Sequence, residues 1–186
     1  MAAVHTVYFA LLGAGAHVVG TDALYGASRM ILENEYSRFG VTGSFVDTSD
    51  VANVEKAMRP ETKLVFVESP ANPTLKLCDI AAIAEIAHRH GALLAVDNTF
   101  ASPLLQQPFS LGADVIVHSM TKFINGHSDV VAGIAASGAR VIGDLESLTV
   151  VPRSRLDGDR LPDVPVSPEI STVASLAAIR SISSNR

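Results

Sequence analysis

Between about residues 16 and 120 the chain alternates short, unbroken apolar runs with stretches of helical periodicity, and few folds accept that alternation. His17-Val18-Val19, Ser44-Phe45-Val46, Lys63–Glu68, Ala92–Val96 and Asp114–His118 read as strands. The later ones are continuous apolar runs, as strands covered on both faces require. Between them lie helical stretches near Ala27–Phe39, Val51–Met58 and Ile80–His90, the last with Asp79 as its N-cap and Gly91 as its stop. Ala2–Leu12 reads as a further helix packed on the sheet. Strands separated by helices pair in parallel, so the expected class is α/β, a mostly parallel sheet flanked by helices.

A composition of 48% hydrophobic residues in 186 supplies a core for one domain, or for one domain and a fragment. The net charge of −5 has no basic cluster behind it, which argues against a nucleic-acid partner. One cysteine, Cys78, excludes a disulfide framework and points to a reducing, cytoplasmic setting. The apolar stretch Val7–Ala16 has the look of a leader, but no Lys or Arg precedes Arg29, and the run is too short to span a bilayer. After about Gly138 the pattern changes. Four of the nine prolines fall at positions 152, 162, 165 and 168, so 151–168 reads as loop, with one short helix possible over Ser171–Ser181.

Open α/β sheets bind ligands beyond the carboxyl ends of their strands. The polar residues that directly follow apolar runs are therefore the candidates: Asp22 and Tyr25; Glu68 and Asn72; Asp97, Asn98 and Thr99; Ser119, Thr121 and Lys122. Lys122, among small hydroxyl residues just past a buried strand, suits an amine nucleophile once desolvated. The plainer reading is a surface lysine in a loop. Asp97 can hold a protonated ring nitrogen, or can simply cap the Asp-Asn-Thr turn.

The order and spacing of the segments Asp22–Gly26, Val67–Pro73, Ala95–Phe100, Leu111–Asp114 and His118–Val131 carry more than any residue alone. Over about residues 1–137 the chain resembles the Cys/Met-metabolism family of pyridoxal-phosphate enzymes, which includes cystathionine γ-synthases and γ-lyases, methionine γ-lyases and O-acylhomoserine sulfhydrylases. The resemblance implies the large cofactor-binding domain of a fold-type I (aspartate aminotransferase-like) enzyme over 1–140, with 141–186 as a tail without a clear family match. It implies pyridoxal 5'-phosphate as cofactor and γ-elimination or γ-replacement on cystathionine, methionine or an O-acylhomoserine. By the same resemblance Lys122 would carry the cofactor and move protons at the substrate. Asp97 would pair with the ring nitrogen, Tyr25 would stack on the ring and assist the leaving group, and Ser119 and Thr121 would bind the phosphate. Asn72 would sit near the phenolic oxygen, with Thr99 a contact behind them.

Intact members of the family form homodimers and homotetramers and are longer at both ends. The segments that would supply further phosphate ligands, and the arginine for the substrate carboxylate, have no counterpart in these residues. The expectation is thus a truncated chain, for which a frameshift is one explanation. The competing reading is a non-catalytic remnant that at most binds the cofactor or an intact homologue. A nicotinamide-dependent oxidoreductase is a third, resting on Gly13-Ala14-Gly15. There, however, position 18 is Val and the run leads into a strand, so a helix stop explains it better. His88 and His90 sit two apart on a helix and face different ways, which reads as solvated surface rather than metal ligation. Cys78 reads as a small hydrophobe near a helix start, and His118 and His127 have no partner at ligand spacing.

Overall fold

The computed structural model describes residues 1–138 and Val141; the expectations for the 151–168 loop and the Ser171–Ser181 helix lie outside the described residues. Six strands form one sheet: β1 (His17–Thr21), β2 (Thr42–Val46), β3 (Thr62–Glu68), β4 (Leu93–Asp97), β5 (Val115–Ser119) and β6 (Gly133–Ser137). Their order is β2-β1-β3-β4-β5-β6, and every pairing is parallel except the antiparallel β5–β6 pair. The anticipated α/β class is what the chain adopts.

Alternation along each strand divides the core in two. Leu64 and Phe66 of β3 and Ala95 of β4 point to the side covered by α1 (Ala2–Leu11) and by the helical stretch that starts with α2 (Gly26–Met30). Val65, Val67, Leu94 and Val96 point to the opposite side, under α3 (Val51–Ala57) and α4 (Ile80–Arg89). On the first side Tyr8 meets Phe66 and Tyr36 edge-on, with ring centroids 5.5 and 5.6 Å apart. Such pairs add about 0.5–1.5 kcal/mol to area burial. The stretch that resembles a leader therefore belongs to the fold, since Val7 and Tyr8 are core residues.

Local signals mostly hold. The Asp79 carboxylate accepts the Ala82 N–H at 3.0 Å and caps α4, and Gly91, at φ +70, ends it. Gly112 combines φ +93 with a position where a Cβ would lie 2.9 Å from Ala84 Cβ, so a glycine is required where β5 approaches α4. The single helix expected near Ala27–Phe39 is instead α2 followed by a wide turn over Ile31–Glu35 and a tight one over Tyr36–Phe39. Leu32 and Tyr36, four residues apart along this stretch, both reach the core. The short helix α5 (Ser102–Leu105) follows β4.

His88 departs from expectation. It is not solvated surface: its Nε2 lies 2.8 Å from Asp114 Oδ2, and the same oxygen accepts the Leu94 N–H at 2.8 Å. The cause is tertiary, because α4 lies across the strands and brings position 88 over the start of β5. His90 pairs with Glu55 at 3.0 Å, so the two histidines diverge as their spacing requires. Among the described residues there is no metal-binding group of His, Cys, Asp or Glu, and no helix is long and apolar enough to cross a membrane.

Candidate active site

Parity along the strands settles which end groups meet. Glu68 follows Phe66 by two residues on β3, Asp97 follows Ala95 by two on β4, and Ser119 follows Val117 by two on β5. All three therefore leave their strands on the α1 side. Glu68 and Asp97 are register partners across the β3–β4 pair, which puts two carboxylates side by side at the carboxyl ends of the strands.

Asp97 is held from one side only. Its Oδ1 accepts the Thr99 N–H at 3.0 Å and the Thr99 hydroxyl at 2.5 Å, and the Thr99 oxygen in turn accepts the Ser119 N–H at 2.8 Å. Thr99 thus ties the ends of β4 and β5 together and aims the Asp97 carboxylate. Burial pushes the Asp97 carboxyl up from its ordinary value, while the Thr99 bonds and the α-amino group of the chain pull the other way.

Glu68 is the group that sequence reasoning left without a role. It is 4% exposed. Its Oε2 accepts the Tyr25 N–H at 2.9 Å and its Oε1 accepts the Asn72 N–H at 3.2 Å. Burial, reinforced by the Asp97 charge, pushes its carboxyl up to about 7 against those two bonds. The signal available beforehand was an acid closing an otherwise apolar strand, Lys63–Glu68.

The loops around this pair are braced. Asn98, fully buried, donates to the Gln106 carbonyl at 2.9 Å, and the Gln106 amide donates to Asn98 Oδ1 and to the Ser69 carbonyl, both at 2.8 Å. Gln106 has no pattern in the sequence that would announce this. On the outer rim Lys76 reaches Asp47 at 2.8 Å and Asp22 at 3.9 Å, so the loops after β1, β2 and β3 are joined.

The remaining candidates stand at the mouth. Tyr25, which precedes α2, is 57% exposed, and Asn72 is also exposed; the two are linked through Glu68, which accepts both of their N–H groups. Thr121 is half-buried; its hydroxyl donates to the Ala132 carbonyl at 3.3 Å and accepts the Ala132 N–H at 3.1 Å, which pins the turn after β5 to the approach of β6. Lys122 sits in that turn with its N–H on the Ser119 carbonyl at 3.1 Å, and its side chain is exposed. The desolvation expected of it is not supplied by the described residues, because the turn projects past the strand ends. Gly13-Ala14-Gly15 lies before β1, at the opposite end of the strands from all these groups, which removes the nucleotide-loop reading.

The chain and its fold have counterparts among known proteins. The profile of the family described as "Cys/Met metabolism PLP-dependent enzyme" matches residues 1–153, further than the 137 residues read from the sequence alone. An L-methionine gamma-lyase of Treponema denticola is 46% identical over 150 residues, 80% of this chain and 37% of that protein. A cystathionine gamma-lyase of Bacillus subtilis is 46% identical over 144 residues, 77% of this chain and 38% of that protein. The crystal structure of metB from Corynebacterium glutamicum aligns with a TM-score of 0.76 at 41% identity, covering 80% of this chain and 39% of that one. The chain thus spans little more than a third of the length of the relatives it matches.

Proposed function

The chain belongs to the Cys/Met metabolism PLP-dependent enzyme family, and from that premise we propose that it carries the cofactor-binding part of an enzyme that eliminates or replaces a γ-substituent. The substrate class is a sulfur-containing or O-acylated amino acid such as cystathionine, methionine or an O-acylhomoserine. The family's cofactor is pyridoxal 5'-phosphate. When bound, it supplies an electron sink for charge developing at the substrate's α-carbon.

The observation that carries the reading is the Asp97 carboxylate: half-buried, bonded by Thr99 on Oδ1 alone, and in no ion pair with a Lys or Arg among the described residues. Desolvation of a carboxylate is costly, and a protonated ring nitrogen on Oδ2 would relieve that cost. Asp97 would hold the ring proton, and Thr99 would keep the carboxylate from turning away. The Lys122 amine would bind the cofactor's aldehyde carbon and afterwards move protons at the substrate. Tyr25 would cover the ring face. The Ser119 hydroxyl, uncommitted among the described residues, would donate to the phosphate. Thr121 would do so only by releasing the Ala132 carbonyl. Asn72 would stand near the phenolic oxygen. A domain of about 1–140 and a cytoplasmic setting complete the proposal.

The test is the visible absorption spectrum of the purified chain with added pyridoxal phosphate, beside Lys122→Ala. A protein-bound band present in the first and absent in the second supports the site. Free-cofactor spectra from both remove it. One observation favours a second reading, a remnant that holds cofactor without turnover: Lys122 and Tyr25 are both exposed. Turnover of cystathionine or an O-acylhomoserine by the pure chain excludes that reading.

A further inference from the structure

Glu68 has a buried carboxylate that the proposed chemistry does not use. Its two bonds fall on different oxygens and come from different loops, one 43 residues before it in the chain and one 4 residues after. An amide side chain in its place has one acceptor oxygen and could satisfy only one of those N–H groups, whereas a carboxylate satisfies both. The two recipients are not arbitrary. Tyr25 is the ring-covering residue, held at the start of α2 with φ −48 and ψ 125. Asn72 lies in the chain reversal closed by the Ala71 N–H on the Lys76 carbonyl at 2.9 Å.

We propose that Glu68 is a positioning residue: by holding the Tyr25 and Asn72 backbones on its two oxygens, it sets both side chains at the cofactor site as one unit. The proposal rests on the cofactor-site reading above for the roles of Tyr25 and Asn72. Glu68 itself touches neither substrate nor cofactor. Its neighbour Asp97 meets the ring, and Glu68 fixes what surrounds it.

The first measurement needs no cofactor. Residue-resolved amide exchange on the whole chain should show Tyr25 and Asn72 protected. Glu68→Leu should lose protection at both by at least about tenfold, and Glu68→Gln at one of them, with the β1 and β3 amides unchanged. Unaltered exchange at both sites in Glu68→Leu overturns the proposal. If that variant does not fold, the unaltered chain decides: the Tyr25 and Asn72 amide resonances must follow one carboxylate and shift with pH at a common midpoint. The facing carboxylate, Asp97, is read separately from the Thr99 amide, which it accepts. Separate midpoints for Tyr25 and Asn72 overturn the clamp.

The second measurement adds pyridoxal phosphate. Glu68→Gln should bind it about tenfold more weakly and, at saturation, still give the Lys122-dependent band with diminished circular dichroism. Unchanged affinity and dichroism mean that Glu68 shapes the loops without positioning the ring, which overturns the proposal. If the unaltered chain gives no Lys122-dependent band, the cofactor-site reading fails, and amide exchange still decides whether Glu68 joins the loops.

Discussion

The carboxylates at the ends of β3 and β4 and those on the outer loops and helices are arranged in opposite ways. Asp47 has Lys76 at 2.8 Å and a Ser49 hydroxyl, which together hold its carboxyl down at about 2. Glu55 is met by His90 and Arg89, and its carboxyl is likewise held below its ordinary value. Glu68, buried, and Asp97, half-buried, stand side by side in no ion pair with a Lys or Arg among the described residues, and both carboxyls are pushed up. Asp47 and Glu55 serve the fold and each finds a cation within its own chain. An acid held ready for a ligand keeps that position open and carries the strain of doing so.

That contrast has a sign in solution. Glu68 titrates near 4.5 when the chain is unfolded and is pushed up to about 7 when folded. The folded state therefore binds the proton more tightly, and its stabilising contribution is fully present below about 4.5 and lost as pH rises through about 7. The Glu68 contribution to the unfolding free energy should fall by up to roughly 3 kcal/mol across that window, against a rise from His17 and His118, whose imidazoles burial pushes down. Chemical denaturation at a series of pH values measures it. Glu68→Gln should flatten most of the fall, leaving the part due to Asp97. The same pH profile in the unaltered chain and in Glu68→Gln would abolish the distinction between the two groups of acids.

A smaller effect sharpens the comparison at Asp97. Asp97→Asn keeps an oxygen for Thr99 and removes a buried charge, so the cofactor-free chain at pH about 8 should be as stable as before or more so. Pyridoxal-phosphate affinity should nevertheless drop at least about tenfold, near 1.4 kcal/mol. Titration by absorbance and denaturant unfolding read the two quantities separately. Loss of stability with affinity intact would make Asp97 an acid of the fold, like Asp114.

Much of this was legible from the chain. The α/β class, the strand positions, the Asp79 cap and the Gly91 stop follow from local patterning, which tertiary structure reinforces here. Asp97, Thr99 and Ser119 stand out in the sequence as strand-end polar residues, and the structure joins them by hydrogen bonds. Glu68 was seen and left idle, because its meaning lies in two backbone N–H groups whose proximity only the fold creates. Gln106, which bridges Asn98 and Ser69, and His88, which reaches Asp114 across 26 residues, were missed for the same reason. Side-chain periodicity reports which face a residue takes, not what stands opposite. The exposure of Lys122 agrees with the plainer of its two sequence readings, a surface lysine in a loop.

The smallest expected effect is on the outer rim, where Lys76 joins Asp47 and Asp22. All three side chains are about two-fifths exposed, so water and salt screen the attraction. Asp47→Asn should leave the melting temperature at neutral pH and about 0.5 M salt unchanged within error. The Asp47 contribution has the opposite pH sense to that of Glu68: it is present above the ordinary value of 3.8 and disappears as pH falls through about 2. It therefore cannot account for any change between pH 4.5 and 7, where Glu68 is read against only the opposite trend of His17 and His118, whose imidazoles burial pushes down. The same substitution should not weaken pyridoxal-phosphate binding by more than about twofold, because the loop carrying Asn72 is also held by Glu68. A larger loss of affinity in Asp47→Asn, with stability unchanged, would show that the rim ion pair rather than the buried carboxylate sets that loop, and would transfer the positioning role from the inner acids to the outer ones.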